Sequence, residues 1–170
     1  RIAVIRTPGN LRTIFGNNCD GKLIASGIAS QLADATFSLT PAAQRGFCRG
    51  RQLALNVVDL DAYTRAFNVL AGLAFDSAAG VGNIGNLPAT ALYDFCNAFP
   101  TVLHEWMWLV LETIKLPKVL YRLIKCLYLS IQAFSAGCGD GSFLFEVDGG
   151  MKTGCPLSSL LFLLCVHPFV

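Results

Sequence analysis

The stretch TALYDFCNAFPTVLHEW, residues 90–106, places one carboxylate, Asp94, in an otherwise apolar run. Residues 89–96 predict a β-strand, and Pro100 suits the first turn of a following helix, where its missing N–H costs nothing. Burying an unpaired polar group costs about 2–7 kcal/mol, and burying a charge costs more. We therefore interpret Asp94 as a site residue, for which the rest of the chain must supply a use.

The composition indicates a single domain with a large core and a thin polar surface. Of the 170 residues, 54% are hydrophobic and 14% are charged, whereas about 25% are charged in a typical domain. A net charge of +2 does not by itself indicate nucleic-acid binding. Because so much apolar surface needs a partner, and because the sequence starts without Met, we interpret it as a fragment of a larger protein.

The seven cysteines are irregularly spaced and form no C-x-x-C pair, and His104 and His167 fit no zinc spacing. This favours reduced, mostly buried thiols in an intracellular protein, in the cytoplasm or the nucleus or both. We find no signal peptide. The longest apolar run, residues 157–166, is shorter than the roughly 20 residues of a membrane span. We therefore expect no membrane contact.

Hydrophobic periodicity predicts helices at residues 21–34, 52–77, 100–114, 117–129 and 159–166. The first two have apolar faces that we expect to be buried. These positions are Leu23, Ile24, Ile28 and Leu32 on the first helix and Leu53, Val57, Leu60, Tyr63, Phe67 and Leu70 on the second.

Residues 131–136 and 143–147 predict two strands, and the glycine-rich residues 137–141 between them predict a hairpin loop. Together with the strand that carries Asp94, they would form a small antiparallel sheet. The predicted fold class is therefore α+β, with this sheet backed by helices.

Two clusters of basic residues are candidates for phosphate contact. Arg45, Arg49 and Arg51 crowd a glycine-containing loop, from which arginine side chains can reach a nucleic-acid backbone. Lys118, Arg122 and Lys125 share one face of a predicted helix, and no carboxylate lies between Lys115 and Lys125. The alternative in both cases is a solvated surface, and the spacing alone does not decide between them.

Four segments stand in an informative order: CDGKLIAS at 19–26, AQRGFCRGRQLALN at 43–56, LYDFCNAFPTVLH at 92–104 and GGMKTGCPLSSLLF at 149–162. Together they resemble the fingers and palm of the reverse transcriptase domain of non-LTR (LINE-type) retrotransposons. The last segment is the most specific, because it is similar to Gly-x-x-Gln-Gly-Cys-Pro-Leu-Ser-Pro-x-Leu-Phe. The third is similar to the first catalytic motif, Asp-Phe-x-x-Ala-Phe-Asp.

The resemblance implies a domain arrangement and an activity. Residues 1–88 would be fingers-like, and residues 89–170 would be a palm that is truncated before the family's Tyr-x-Asp-Asp motif. The activity would be that of an RNA-directed DNA polymerase, a nucleotidyltransferase. Its partners would be an RNA template, a DNA primer, deoxynucleoside triphosphates and the rest of the parent polyprotein.

The resemblance also assigns site residues. Asp94 matches the catalytic aspartate that binds Mg²⁺ (or Mn²⁺), a hard cation that prefers oxygen ligands and acts in pairs in polymerases. Four residues match nucleotide-binding positions. Arg12 would reach the triphosphate, Phe99 would pack beneath the sugar, and Thr153 and Gly154 would line the base and sugar pocket.

The sequence departs from the family pattern at several positions. Thr13 follows Arg12 in place of Pro, Thr153 replaces Gln, and Pro100 replaces the second Asp of the first motif. Because the remaining metal carboxylates belong to the missing Tyr-x-Asp-Asp motif, we expect the chain to be inactive alone. Two alternatives are a decayed retroelement relic and a non-catalytic helical interaction protein.

Overall fold

The computed structural model describes residues 18–77, 90–134 and 141–169, with the backbone only for 73–77. The helices are α1 (Cys19–Leu39), α2 (Ala54–Ser77), α3 (His104–Thr113), α4 (Lys118–Tyr128) and α5 (Ser158–Val166), and the strands are β1 (Gln132–Phe134) and β2 (Phe143–Glu146). A single 3-10 turn, His167–Phe169, follows α5. The mixed architecture confirms the predicted α+β class. None of the helices in these ranges combines the length and the apolarity needed to cross a bilayer.

The chain divides into two compact units. One consists of residues 42–95 and contains α2; the other combines residues 1–41 with 96–170 and contains the remaining elements. The division at residue 88 into fingers-like and palm-like parts stays a prediction.

The sheet is smaller than the sequence predicts. β1 and β2 pair antiparallel, with Gln132 opposite Glu146 and Ala133 opposite Phe145, and the register shifts after Ala133. Residues 90–95 form neither helix nor strand, so the predicted strand around Asp94 is wrong. An apolar run indicates a strand only if a neighbouring strand supplies hydrogen-bond partners, and among the described residues the sheet contains β1 and β2 alone.

The core of the larger unit surrounds α5. This helix is apolar on almost every side, and it packs against α1 and α3. Each large side chain that is fully buried contributes about 1.5–3 kcal/mol. The buried apolar residues of α5 and of the segment before it are Met151, Leu157, Leu160, Leu161, Leu163, Leu164 and Cys165.

The predicted buried face of α1 is half correct. Ile28 and Leu32 are buried, whereas Leu23 is 73% exposed and Ile24 is 53% exposed. Ala25 and Thr36 complete the buried face instead. Positions 25, 28, 32 and 36 are three or four residues apart, so they form one narrow stripe on the helix. The periodicity was correctly helical, but the face that it indicated is rotated from the one that packs.

The predicted buried face of α2 is not buried. All six apolar positions that we expected to be covered are between 39% and 69% exposed. The helix itself is present at nearly the predicted bounds, because the local pattern that favours a helix does not depend on what covers it.

Candidate functional site

The structure joins the third and fourth informative segments through their backbones. The Met151 N–H donates to Phe99 O at 2.8 Å, and the Gly150 N–H donates to Val102 O at 2.7 Å. Leu103 and Gly149 form an isolated antiparallel bridge beside these bonds. The end of the Asp94 segment is thus docked on the turn that leads to Thr153 and Gly154.

Gly150 is the closest point of this contact. Its φ is +88°, and a Cβ at this position would lie 2.9 Å from Pro100 O and 3.2 Å from Pro100 Cα. Side chains rarely tolerate either condition, so the contact requires a glycine.

His104 of α3 stabilises the same contact, a role that could not be predicted from the sequence. It is buried, and its Nε2 lies 2.9 Å from Gly150 O. Because a carbonyl can only accept, Nε2 carries the proton and donates. The ring also meets Tyr128 edge-on, with centroids 5.5 Å apart. The signal that could have identified His104 is the burial of a polar side chain, and burial is known only from the structure.

Phe99 lies in this contact as a packed residue. Its ring stacks on Phe162 of α5, with centroids 4.6 Å apart and an angle of 14° between the ring planes. One face of the ring is therefore occupied by the core of the unit. The position remains half-buried.

Asp94 lies in the other unit, at the end of residues 42–95. It is exposed in a segment without regular structure. An exposed carboxylate keeps its hydration, so the burial cost that the sequence indicated is not incurred. Its assignment as a metal ligand rests on the resemblance.

A hydrogen-bond chain fixes the turn at Lys152. Ser158 Oγ donates to Lys152 O at 2.7 Å. Since the single hydroxyl hydrogen of Ser158 is used there, Tyr128 OH donates to Ser158 Oγ, at 2.9 Å. Lys152 Nζ donates to Leu127 O and lies 5.4 Å above the Tyr128 ring. Partial burial lowers the pKa of Lys152.

Thr153 and Gly154 follow this fixed turn and are exposed. Gly154 has a φ of +85°, and a Cβ there would have no atom within 4 Å. The backbone conformation favours glycine, and the space above it is open to a ligand. An adjacent cavity of about 270 Å³ is lined by Asp20 and Gly21 of α1 together with Lys152 and Cys155. The first informative segment therefore also meets the fourth.

Two of the three arginines of the predicted basic loop bond to neighbouring residues of the same chain. Arg45 forms an ion pair with Asp59 at 2.6 Å and donates to Asn56 Oδ1 at 2.7 Å. Arg51 donates to Gln44 O at 2.7 Å. Arg49 is exposed and has no such bond to the described residues. Their contact with nucleic acid stays a prediction, for which Arg49 is best placed.

The second basic cluster is brought together as predicted from its spacing. Lys118, Arg122 and Lys125 line one groove on α4, and Lys115 joins them from the end of α3. The membership of Lys115 could not be predicted from helical spacing, because its position depends on how the chain turns between the two helices.

No cluster of three or more His, Cys, Asp or Glu side chains that could hold a metal ion occurs in the described parts of the chain. The assignment of Mg²⁺ to Asp94 stays a prediction. Arg12 lies outside the described residues, as do residues 137–140 of the predicted hairpin loop at 137–141.

The six described cysteines are free thiols. Cys48 and Cys165 are buried, whereas Cys19, Cys96 and Cys126 are exposed, so the prediction that most are buried is wrong. Burial raises the pKa of Cys165 to about 12, which makes this thiol unreactive at neutral pH.

Comparison with protein-family models, with curated proteins and with solved structures found no significant match to this chain.

Proposed function

We propose that this chain is part of a retroelement reverse transcriptase, an RNA-directed DNA polymerase. Its partners would be an RNA template, a DNA primer and deoxynucleoside triphosphates. One observation carries the proposal: residues 99–103 and 149–151, which belong to the third and fourth matching segments, pack together through two backbone hydrogen bonds.

The contact supports the proposal because these segments lie far apart in the sequence. A chance match of motifs gives no reason for them to meet. In the proposed enzyme, Phe99 would contribute to the floor of the nucleotide pocket, while Thr153 and Gly154 would line its side. The exposed Gly154 turn next to a backbone held by Ser158 suits this task, since a binding residue benefits from a rigid support.

The proposed metal ions require more carboxylate ligands than the described residues of this chain provide. Two-metal catalysis needs several oxygen ligands around the ions, and Asp94 supplies one carboxylate. The proposal therefore gives Asp94 the role of a single ligand to Mg²⁺ or Mn²⁺, with the others coming from further sequence of the parent polyprotein. Arg12 is proposed to contact the triphosphate.

The test is primer extension on an RNA template by the parent protein. We expect Asp94→Asn to lower the rate about a hundredfold or more, because the neutral amide is a far weaker ligand for a hard cation. Asp34→Asn is the matched control, since Asp34 is also exposed but lies on α1. The 170-residue chain alone is expected to be inactive. Equal rates for the two variants would refute the role of Asp94.

A non-catalytic interaction protein is the second candidate. It is favoured by the apolar residues that α2 exposes, such as Val57, Tyr63 and Phe67, because contiguous exposed apolar surface marks interaction sites. This candidate predicts that the parent protein synthesises no DNA, even when both Asp94 and Asp34 are intact. A decayed relic predicts the same loss of synthesis, together with a disrupted Tyr-x-Asp-Asp motif in the continuing reading frame.

A further inference from the structure

An open groove of about 770 Å³ lies between the end of α3 and the exposed face of α4. We call it the basic groove. It is lined by four cations, Lys115, Lys118, Arg122 and Lys125, and by one carboxylate, Glu112. The chain as a whole has a net charge of only +2, so a net excess of three positive charges (four minus one) is concentrated in this groove.

Glu112 does not neutralise these cations directly. Its Oε1 accepts a hydrogen bond from Tyr121 OH at 2.9 Å. Burial raises the pKa of Tyr121, and the Glu112 carboxylate raises it further, so the hydroxyl remains protonated and keeps donating at neutral pH. Within the described residues, neither Lys118 nor Arg122 forms a salt bridge with a carboxylate.

Lys125, which lines the groove, lies close to two aromatic rings. Its Nζ lies 5.9 Å from the centre of the Trp108 ring and 5.6 Å from that of Tyr121. A ring face attracts a cation without cancelling its charge. The ammonium group is therefore positioned by its neighbours and still available to an anion.

Lys115 is placed by the turn that ends α3. Its φ is +55°, a conformation in which glycine is the usual residue at a helix end. The Lys115 N–H donates to Glu112 O at 3.0 Å, and the Leu116 N–H donates to Leu111 O at 3.1 Å. This pair of bonds fixes the turn from which Lys115 lines the groove.

The cations form a row and not a single point. Lys118, Arg122 and Lys125 follow one another at spacings of four and three residues, which spreads them over about 10 Å of helix axis. A lone phosphate would engage one or two of them. A chain of phosphates matches the whole row.

We propose that the basic groove binds the phosphodiester backbone of a single-stranded nucleic acid. Cationic grooves with aromatic side chains are the general design for single strands, because the cations follow the backbone while aromatic rings meet the bases. Tyr121 is the aromatic residue that lines this groove. The choice of a nucleic acid over another polyanion rests on the proposed function; the charge and the geometry stand independently of it.

The experiment measures binding of a fluorescein-labelled single-stranded RNA by fluorescence anisotropy over a series of salt concentrations. The test variant is Lys118→Ala with Arg122→Ala. Both side chains are exposed, so folding is expected to survive, and circular dichroism checks this. The control is Lys22→Ala with Arg65→Ala, which removes the same charge from exposed positions on α1 and α2.

We expect the test variant to bind about tenfold more weakly than the control. We also expect the slope of log K against log salt to fall by about 1.4, because each lost contact to a single strand contributes about 0.7. Lys118→Arg with Arg122→Lys keeps the charges and should restore binding. Equal affinity of the test and control variants for the RNA would overturn the proposal. If the double variant misfolds, the single substitutions Lys118→Ala and Arg122→Ala are measured in its place, and the same outcome applies to them.

Further arms identify the occupant. A single-stranded DNA of the same sequence tests whether the 2′-hydroxyl contributes, and binding of either strand supports the proposal. Binding to duplex as tight as to single strands overturns it. So does binding to vesicles of anionic lipid with no binding to oligonucleotides.

The outcome is separable from that of the proposed function. If Asp94→Asn leaves synthesis intact while the groove variant loses binding, the polymerase assignment fails and the groove remains a nucleic-acid site. If Asp94→Asn abolishes synthesis while the groove variant binds like its control, the groove proposal fails alone.

Discussion

At the scale of single residues, Gly150 has the strictest requirement among the glycines of the described chain. It combines a positive φ with a contact to Pro100 that leaves no room for a methyl group. Its neighbour Gly149 is different: a Cβ there would lie 3.7 Å from Val102 O, an ordinary contact. The sequence does not show which of these two adjacent glycines touches another segment.

This difference gives a matched pair of substitutions. We expect Gly150→Ala to lower the free energy of unfolding by about 2–4 kcal/mol, from left-handed strain and overpacking together. Gly149→Ala should lower it by less than about 1 kcal/mol, since it meets neither obstacle. Urea unfolding followed by tryptophan fluorescence measures both. Equal losses would show that Gly150 and Pro100 are not in close contact.

At the scale of elements, the turn that ends α3 has a left-handed backbone at Lys115, where a residue with a side chain is unfavourable. The two hydrogen bonds at Lys115 and Leu116 close the helix in the usual way, but the left-handed position is filled by lysine where glycine is usual. The basic groove offers a functional reason for lysine, because glycine would remove one of its cations.

Substitutions at Lys115 test the backbone strain of its positive φ in unfolding experiments that need no nucleic acid. We expect Lys115→Gly to raise the free energy of unfolding by about 1 kcal/mol, because glycine adopts a positive φ without steric cost. Lys115→Ala is the control, since it removes the same charge but keeps the strain, and it should stay within about 0.5 kcal/mol of wild type. Thermal or urea unfolding at high salt separates the two. A gain in the alanine variant would assign the effect to charge.

The hairpin shows the limit of local signals. β1 and β2 form where expected, and Phe134 packs edge-on against Phe143 with centroids 6.1 Å apart. Both rings are exposed, as are Leu144 and Phe145. A two-stranded hairpin is marginal by itself. An edge with exposed apolar residues favours pairing with another strand, and we expect low solubility of the isolated chain.

At the scale of the whole molecule, Tyr128 ties together three parts of the larger unit. It lies on α4, its hydroxyl bonds Ser158 at the start of α5, and its ring meets His104 of α3. It is 1% exposed. Burial raises its pKa from 10.0 to about 12, although the hydrogen bond to Ser158 acts in the opposite direction.

This burial predicts a loss of stability in alkali. Below pH 10.0 the phenol is neutral in both states; between pH 10.0 and about 12 only the unfolded chain ionises. The raised pKa therefore costs stability as the pH rises, by about 3 kcal/mol in total. Tyr128→Phe should lack this component, while losing about 1 kcal/mol at neutral pH with the hydrogen bond.

The check is urea unfolding of the wild type and of Tyr128→Phe at neutral pH and near pH 12. The difference between the two proteins should shrink or reverse in alkali. Tyr63→Phe is the control, because Tyr63 is exposed on α2. Parallel pH profiles for wild type and Tyr128→Phe would contradict the assignment.

The sequence by itself determined most of the elements, although not the strand expected at residues 89–96. α2 and α4 begin and end within two residues of their predicted bounds, and the hairpin strands lie inside theirs, because helical periodicity and turn residues act over a few positions. The resemblance of residues 92–104 and 149–162 also suggested Asp94, Phe99, Thr153 and Gly154 as site residues, without any knowledge of their positions.

The tertiary structure decided what those elements meet. It buried Ala25 in place of Leu23, left residues 90–95 without a strand, and joined Phe99 to Met151. It also placed Lys115 beside the cations of α4. These outcomes depend on contacts between residues distant in sequence, and an apolar residue carries no information about which distant surface will cover it. Local chemistry fixes the period of a helix or strand, whereas burial is a property of the assembled chain.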